Sequence, residues 1–224
     1  MKLLIVDDHP IVRSGLRRLL AAEPQLEIEE AANGQEAVRA LKEWRPDLVI
    51  LDLNLPGISG LQVLVRFKIE DAKVRILVIS MHDSPIYVAR ALQAGADGYV
   101  SKNAPPEQIF EAVRRVADGR TYIEHETAQE LALWNLRTPS DPLKQLSSRD
   151  IEILRFLVEG SSLTEIAQAL GVSYKTVANH CTQLKAKLAA RRMADLIRIA
   201  ISCGFSRSDA TLAGSFPADA DRQS

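Results

Sequence analysis

Three acids, Asp7, Asp8 and Asp52, each stand directly after a short run of branched apolar residues. Leu3-Leu4-Ile5-Val6 leads into the pair, and Leu48-Val49-Ile50-Leu51 leads into the single acid. Such runs read as parallel strands covered on both faces, and open parallel sheets bind ligands outside the carboxyl ends of their strands. Three carboxylates at one rim repel each other unless a cation sits among them. All-oxygen ligation with few protein donors suits Mg2+, which keeps waters and shares phosphate oxygens. A fourth run, Val74 to Ile79, ends in Ser80, and a segment near 97–101 is followed by Lys102, so a hydroxyl and an ammonium reach the same rim as phosphate ligands. A carboxylate beside Mg2+ and Lys can attack a phosphoryl group and hold it as an acyl phosphate; Asp52 takes that role. Taken singly, each Asp is only a turn former or helix cap, and the argument rests on the set. An aspartyl-phosphate phosphatase wants a second acid two residues after its nucleophile, but position 54 is Asn. There is no G-x-x-x-x-G-K-[ST] loop and no G-x-G-x-x-G after the first strand, which excludes the usual nucleotide cradles.

The elements that must position these groups follow from periodicity. Helical patterns at 10–22, 35–44, 60–69, 85–94 and 106–117 alternate with the strand runs and with a weaker strand near 27–31. Five β-α units predict a flavodoxin-like, doubly wound, five-stranded parallel sheet over residues 1–120. From Tyr122 to Leu136 the spacing is helical, and Thr138-Pro139-Ser140-Asp141-Pro142 then breaks it. Residues 121–145 are therefore a linker helix and Pro-containing connector. Strand signals vanish beyond Leu146, so 146–206 is a small all-α domain whose first helix is capped at Ser147-Ser148-Arg149-Asp150. The Ser/Ala/Asp/Gly-rich stretch 207–224 reads as a disordered tail.

The chain of 224 residues is 46% apolar and 25% charged, an ordinary globular composition. No apolar run reaches a membrane span and no leader segment is apparent, which places the chain in the cytoplasm as an expectation. Cys181 and Cys203 are too few for a disulfide framework or a zinc site and read as buried apolar residues. Net charge is only −1, yet residues 166–207 carry seven bases against the single acid Asp195, a local +6. Within that stretch, Leu163 to Leu170, the turn Gly171-Val172-Ser173 and the helix from Tyr174 to Leu188 have helix-turn-helix spacing. Val177, Cys181, Leu184 and Leu188 form the inward stripe. The outward face shows Lys175, Ala178, Asn179, Thr182, Gln183 and Ala186, with Lys185 and Lys187 at its margins and Ser173 and Thr176 at the phosphate-facing N-terminus. Spacing alone fits a structural motif equally well, and the basic balance tips it toward double-stranded DNA. In the last helix, Leu196, Ile199, Ala200 and Cys203 offer a dimer contact, although the same stripe would serve to close the domain's own core.

Asp7-Asp8, Asp52 with Leu55-Pro56-Gly57-Ile58-Ser59-Gly60, Ser80, and Gly95-Ala96-Asp97-Gly98-Tyr99-Val100-Ser101-Lys102 resemble the signature of two-component response-regulator receiver domains. The resemblance implies that Asp52 takes phosphate from a sensor histidine kinase. It implies that Asp8, Asp52 and the backbone carbonyl of Asn54 hold Mg2+ with Asp7 nearby, and that Ser80 and Lys102 bind the phosphoryl group while Tyr99 rotates inward as a switch. Many relatives have Pro after the Lys with a cis peptide; Asn103 stands here, and a trans bond is expected. His9 and His82 are read as bystanders. The run Leu146 to Leu154, Gly160, Glu165-Ile166-Ala167, Ser173, Thr176-Val177, His180 and Lys187-Leu188 is similar to the LuxR-type DNA-binding domain. Together the two resemblances imply a non-enzymatic transcriptional regulator of the NarL/FixJ class that dimerises when phosphorylated, and the linker looks most like the GacA/UvrY branch. In that class the positions one, two and five after Val177 approach bases: Ala178, Asn179 and Thr182. Asn179 would favour adenine, and His180 reads as a packed residue facing phosphate.

Overall fold

The computed structural model describes residues 1–21, 23, 25–81, 84–137, 145–203 and 205. The expected tail, most of the Pro-containing connector and His82 lie outside the described residues. In chain order the first part runs β1 (Lys2–Val6), α1 (Pro10–Leu20), β2 (Glu27–Ala31), α2 (Gly34–Glu43), β3 (Leu48–Leu51), α3 (Gly60–Glu70), β4 (Arg75–Ser80), α4 (Pro85–Gln93), β5 (Gly98–Ser101) and α5 (Pro106–Ala117). It continues through β6 (Tyr122–Ile123) into α6 (His125–Arg137). The second part is α7 (Ser148–Glu159), α8 (Leu163–Ala169), α9 (Tyr174–Lys187) and α10 (Met193–Ser202).

The sheet is parallel throughout, in the order β2-β1-β3-β4-β5-β6. Alternate strand residues feed two cores. Leu4, Val6, Val49 and Leu51 pack toward α2, α3 and α4, whereas Leu3, Ile5, Leu48 and Ile50 pack toward α1 and α5. Six strands replace the expected five: Tyr122 and Ile123 join the sheet edge rather than the linker helix, which begins only at His125. A two-residue strand is too short to show a period of two.

The strand order reverses at β1, and that switch point sets the rim. Val6 pairs with Leu51, so Asp7 and Asp52 leave the sheet side by side; Ser80 pairs with Ser101, so Lys102 leaves next to them. The start of α3 is pressed against the end of β3. A Cβ on Gly60 would stand 2.1 Å from the Asp52 carbonyl oxygen and 2.5 Å from Leu53 Cα. Ser59 caps this helix through a reciprocal box with Gln62.

In the second part, boxes Ser147/Asp150 and Ser162/Glu165 start α7 and α8, and Ser173 caps α9. Val177, Cys181, Leu184 and Leu188 are buried as the sequence stripe predicts. The helical part rests on the sheet part. Trp134 Nε1 in α6 donates to the Cys203 carbonyl at 3.1 Å, and the rings of Tyr87 in α4 and Phe205 meet edge to face at 5.9 Å.

Gly60→Ala is expected to destabilise the chain by at least about 1–3 kcal/mol, because main-chain atoms cannot step aside. Gly15→Ala, in open space on α1, should instead raise stability by up to about 1 kcal/mol. Thermal denaturation of the two variants beside wild type checks the contrast.

Candidate functional site

At the carboxyl ends of β1, β3, β4 and β5 the side chains converge. Asp7 and Asp52 are 2% and 1% exposed, and Ser80 is fully buried. Between the two acids lies Lys102, its Nζ 2.5 Å from Asp7 Oδ2 and 2.8 Å from Asp52 Oδ2. Burial pushes the Asp52 carboxyl above the usual carboxylate range; Lys102 pulls it down, and the charge of Asp7 pushes it up again. Burial alone would lower the Lys102 ammonium, but the two carboxylates overcome this and hold it above its ordinary value.

One ammonium does not neutralise three carboxylates. Asp8, one-third exposed, completes a group in which Asp7, Asp8, His9 and Asp52 each present a ligand atom within 4.8 Å of the others. Asp52 Oδ1 is buried with no hydrogen-bond donor, and the buried Asp8 Oδ1 faces only the ring of His9. These carboxylate oxygens beside an uncompensated double negative charge fit a divalent cation with hard oxygen ligands. His9 is closer to this chemistry than its reading as a bystander allowed: its Nδ1 lies 2.6 Å from Asp8 Oδ1. Asn54 is at the cleft and its backbone amide hydrogen-bonds Asp52. Tyr99 is 1% exposed, packed in the same core as Ile86 and Tyr87 of α4. The peptide before Asn103 is trans, like every peptide bond among the described residues.

A second surface faces this rim across a cleft. Asp8, Asn54 and Pro56 line one wall, and Glu152, Arg155 and Phe156 of α7 line the other. Glu152 accepts from Arg149 Nη1 at 3.0 Å and from the Ser59 hydroxyl; burial raises its carboxyl above the ordinary value, only partly offset by these bonds. No pattern in the sequence signals this contact, because neither element's periodicity says which neighbour it meets.

On α9, Ser173, Lys175, Asn179, Thr182, Gln183 and Lys187 are exposed, and Thr176, Ala178 and Lys185 are half-buried. Two members are engaged within the domain: Thr182 Oγ1 donates to the Ala178 carbonyl at 3.0 Å, and Lys187 Nζ donates to Asp150 Oδ2 at 2.6 Å. Lys187, for which the sequence predicts a phosphate-facing position, is thus engaged by Asp150 while staying exposed. His180 Nδ1 lies 3.0 Å from Asp150 Oδ1, tying α9 to the start of α7. On α10 the expected dimer stripe is corrected in part: Leu196, Ala200 and Cys203 are 0–4% exposed within the domain's own core and Ile199 is half-buried. Among the described residues, Ile201 is that helix's exposed large apolar side chain.

Residues 3–114 match the family described as response regulator receiver domain, and residues 144–200 match bacterial regulatory proteins, luxR family. The chain is 41% identical to the transcriptional activator protein ExaE of Pseudomonas putida over 216 residues, covering 92% of this chain and 99% of that one. It is 39% identical to the methanol utilization control regulatory protein MoxX of Paracoccus denitrificans over 199 residues, covering 88% and 89%. A LuxR-family two-component response regulator from Aurantimonas sp. SI85-9A1 matches in structure with a TM-score of 0.58 at 38% identity, covering 60% of this chain and 97% of that one. RcsB of Salmonella enterica serovar Typhimurium, bound to promoter P1flhDC in the presence of the phosphomimetic BeF3−, matches with a TM-score of 0.63 at 25% identity, covering 90% and 98%.

Burial raises the Asp150 carboxyl, but bonds from Lys187, His180 and Ser147 outweigh it and hold the group below its usual range. A depressed carboxylate stabilises the fold above the unfolded value, near pH 4, and loses that contribution as pH falls through the folded value. Asp150→Asn should therefore cost about 2 kcal/mol at pH 7, less than a fully buried pair because Lys187 and His180 keep contact with water. Denaturant titrations should show the gap to wild type closing below pH 4.

Proposed function

Because the chain belongs to the response-regulator receiver family and carries a luxR-type DNA-binding domain, we propose that it is a transcriptional regulator gated by phosphorylation of Asp52. The observation that carries this reading is the buried Asp52 with its second oxygen undonated and Lys102 held beside it. Asp52 attacks the phosphorus of a sensor histidine kinase's phosphohistidine; the P–N bond breaks, the acyl phosphate forms, and the imidazole leaves with a proton. Asp7, Asp8, Asp52 and the Asn54 carbonyl would hold Mg2+, whose charge offsets that of the phosphoryl oxygens when it is bound. Lys102 exchanges a carboxylate oxygen for a phosphoryl oxygen, Ser80 bonds another, and the already buried Tyr99 fills the space beside α4. Asn54 supplies no acid for rapid hydrolysis, which favours a held phosphoryl group over the alternative of a phosphoryl-transfer enzyme with turnover.

The working units in this reading are a receiver (1–120), a linker (121–145) and an effector domain (146–206). The effector domain binds promoter DNA through α9, with Asn179, Thr182, Gln183 and Ala178 toward bases and Lys175, Lys185, Ser173 and Thr176 toward phosphates. A solved relative is described as two RcsB dimers bound to two parallel DNAs, and a homodimer on DNA is proposed here, formed on phosphorylation. Its α10 contact runs through Ile201 and the half-buried Ile199, since the rest of the expected stripe is core. Promoter binding puts the protein in the cytoplasm, in keeping with the lack of any membrane-spanning helix among the described residues. The GacA/UvrY likeness rests on α6 and a connector that is mostly not described, and the relatives named above carry other names.

With acetyl phosphate and Mg2+, the wild type should gain one phosphoryl group by intact mass and bind promoter DNA more tightly. Asp52→Asn should show neither change while keeping basal binding; labelling of this variant at the wild-type rate would remove Asp52 from the mechanism. Asn179→Ala should cost about 1–3 kcal/mol on the preferred operator and little on random DNA, read by gel shift at fixed salt.

A further inference from the structure

The sixth strand ends just before it can finish pairing with the fifth. Gly98 faces Tyr122 and Tyr99 faces Ile123, and the chain then leaves the sheet to begin α6. The close approach depends on Gly98, where a Cβ would stand 3.0 Å from the Tyr122 carbonyl oxygen and 2.9 Å from the side chains of Leu77 and Val116. In a parallel ladder successive amides of one strand point alternately to its two neighbours. The Lys102 amide points to β4 and donates to the Ser80 carbonyl at 2.8 Å. The Ser101 amide points the other way, past the end of β6, where no main-chain carbonyl waits.

A side chain takes that place. Glu124 Oε1 accepts from the Ser101 amide at 2.8 Å. The main chain of the same residue starts the linker helix, its carbonyl accepting from the Ala128 amide at 2.8 Å. Ser101 is 7% exposed, so its amide has little access to water as a substitute. The next amide, Asn103, donates to Ser101 Oγ at 3.2 Å, and Ala104 donates to the Ser101 carbonyl at 3.1 Å. The two amides that follow Lys102 therefore bond back to Ser101, and Ser101 is fixed on its outer side by Glu124.

We propose that Glu124 is a positioning residue for phosphoryl chemistry at Asp52, holding the Ser101–Lys102 main chain where the Lys102 ammonium reaches Asp52 and Asp7. The proposal rests on the reading of Asp52 as the phosphoacceptor. A charge-assisted bond from a carboxylate to a buried amide is stronger and more directional than a neutral one. Without it the amide is left unsatisfied and the strand end must shift to find a partner. Lys102 follows that shift, and misplacement of a charge-stabilising group by about 1 Å can cost up to about a hundredfold in rate. Because the same residue opens α6, Lys102 and the linker helix are held at one point.

Full-length wild type, Glu124→Gln, Glu124→Ala and Glu124→Asp are labelled with acetyl phosphate and Mg2+ at a temperature where thermal melts show each folded. The Gln side chain keeps the accepting oxygen and should label within about twofold of wild type, whereas Ala and the shortened Asp should be about tenfold slower. Ala and Asp variants that label at the wild-type rate overturn the proposal, and so does a Gln variant as slow as Ala, which would assign the effect to charge rather than to the bond. If Ala does not fold, the Asp variant decides. A wild-type chain that takes no phosphoryl group overturns the reading of Asp52 and this proposal together; a labelled wild type with indifferent Glu124 variants overturns this proposal alone.

Discussion

Lys102 bridging Asp7 and Asp52 is the contact on which the receiver's architecture turns. Two carboxylates nearly out of water repel each other strongly unless a positive charge stands between them. The ammonium does so from a strand three places along the sheet from β1. That geometry needs β1, β3, β4 and β5 in parallel register and ending at one level, as the pairings Val6↔Leu51 and Ser80↔Ser101 provide. Lys102 supplies one positive charge where two more are needed, so the pocket is built to be incomplete. A divalent ion would meet the remaining demand, and in the proposed function the arriving phosphoryl group would then add negative charge that the filled pocket could hold.

The position of α7 relates that pocket to the effector domain. Its Glu152 bonds Ser59 at the cap of α3, one residue from the Gly60 that touches the Asp52 carbonyl. Among the described residues, the contacts that join the two parts include this one, Trp134 to Cys203, and the edge-to-face pair of Tyr87 and Phe205. Each contributes about 0.5–1.5 kcal/mol, and Glu152 also carries a desolvation cost. A junction of that strength lies within the few kcal/mol that a charge change at one site can tip. Meanwhile Asn179, Thr182 and Gln183 on the outward face of α9 are exposed, so this arrangement does not hide the residues proposed to read bases.

Much of this was legible in the sequence, for identifiable reasons. Strands buried on both faces write themselves as apolar runs, and acids at the ends of two such runs have only one place to go in a doubly wound sheet. The inward stripe of α9 was legible because four residues at helical spacing leave no alternative face. What escaped depends on contacts between distant segments. β6 is too short to carry a pattern. Glu124 looks like one more acid in a charged linker, and only its register beside Ser101 gives it a task. Lys187 sits at the margin of a basic face, and nothing local says that Asp150, 37 residues earlier, claims it.

The α10 stripe shows where periodicity stops discriminating. Spacing of i, i+3, i+4, i+7 reports that one face of a helix is dry, and it is silent on whether the dryness comes from the same chain or from a second copy. Here a small domain of four helices must close its core against α7, and it takes Leu196, Ala200 and Cys203 to do so. A domain this small has few apolar residues to spare. A dimer contact on this helix would therefore come from residues left over after folding: Ile201 and part of Ile199, flanked by the exposed Arg198. Such a contact is small, and a small contact is weak without help. In the proposed function DNA would give that help by holding two effector domains at neighbouring half-sites, so that their association becomes effectively intramolecular. The dimer and the DNA complex would then form together, and the phosphoryl group would need only to release the domains from their resting contact for both to follow.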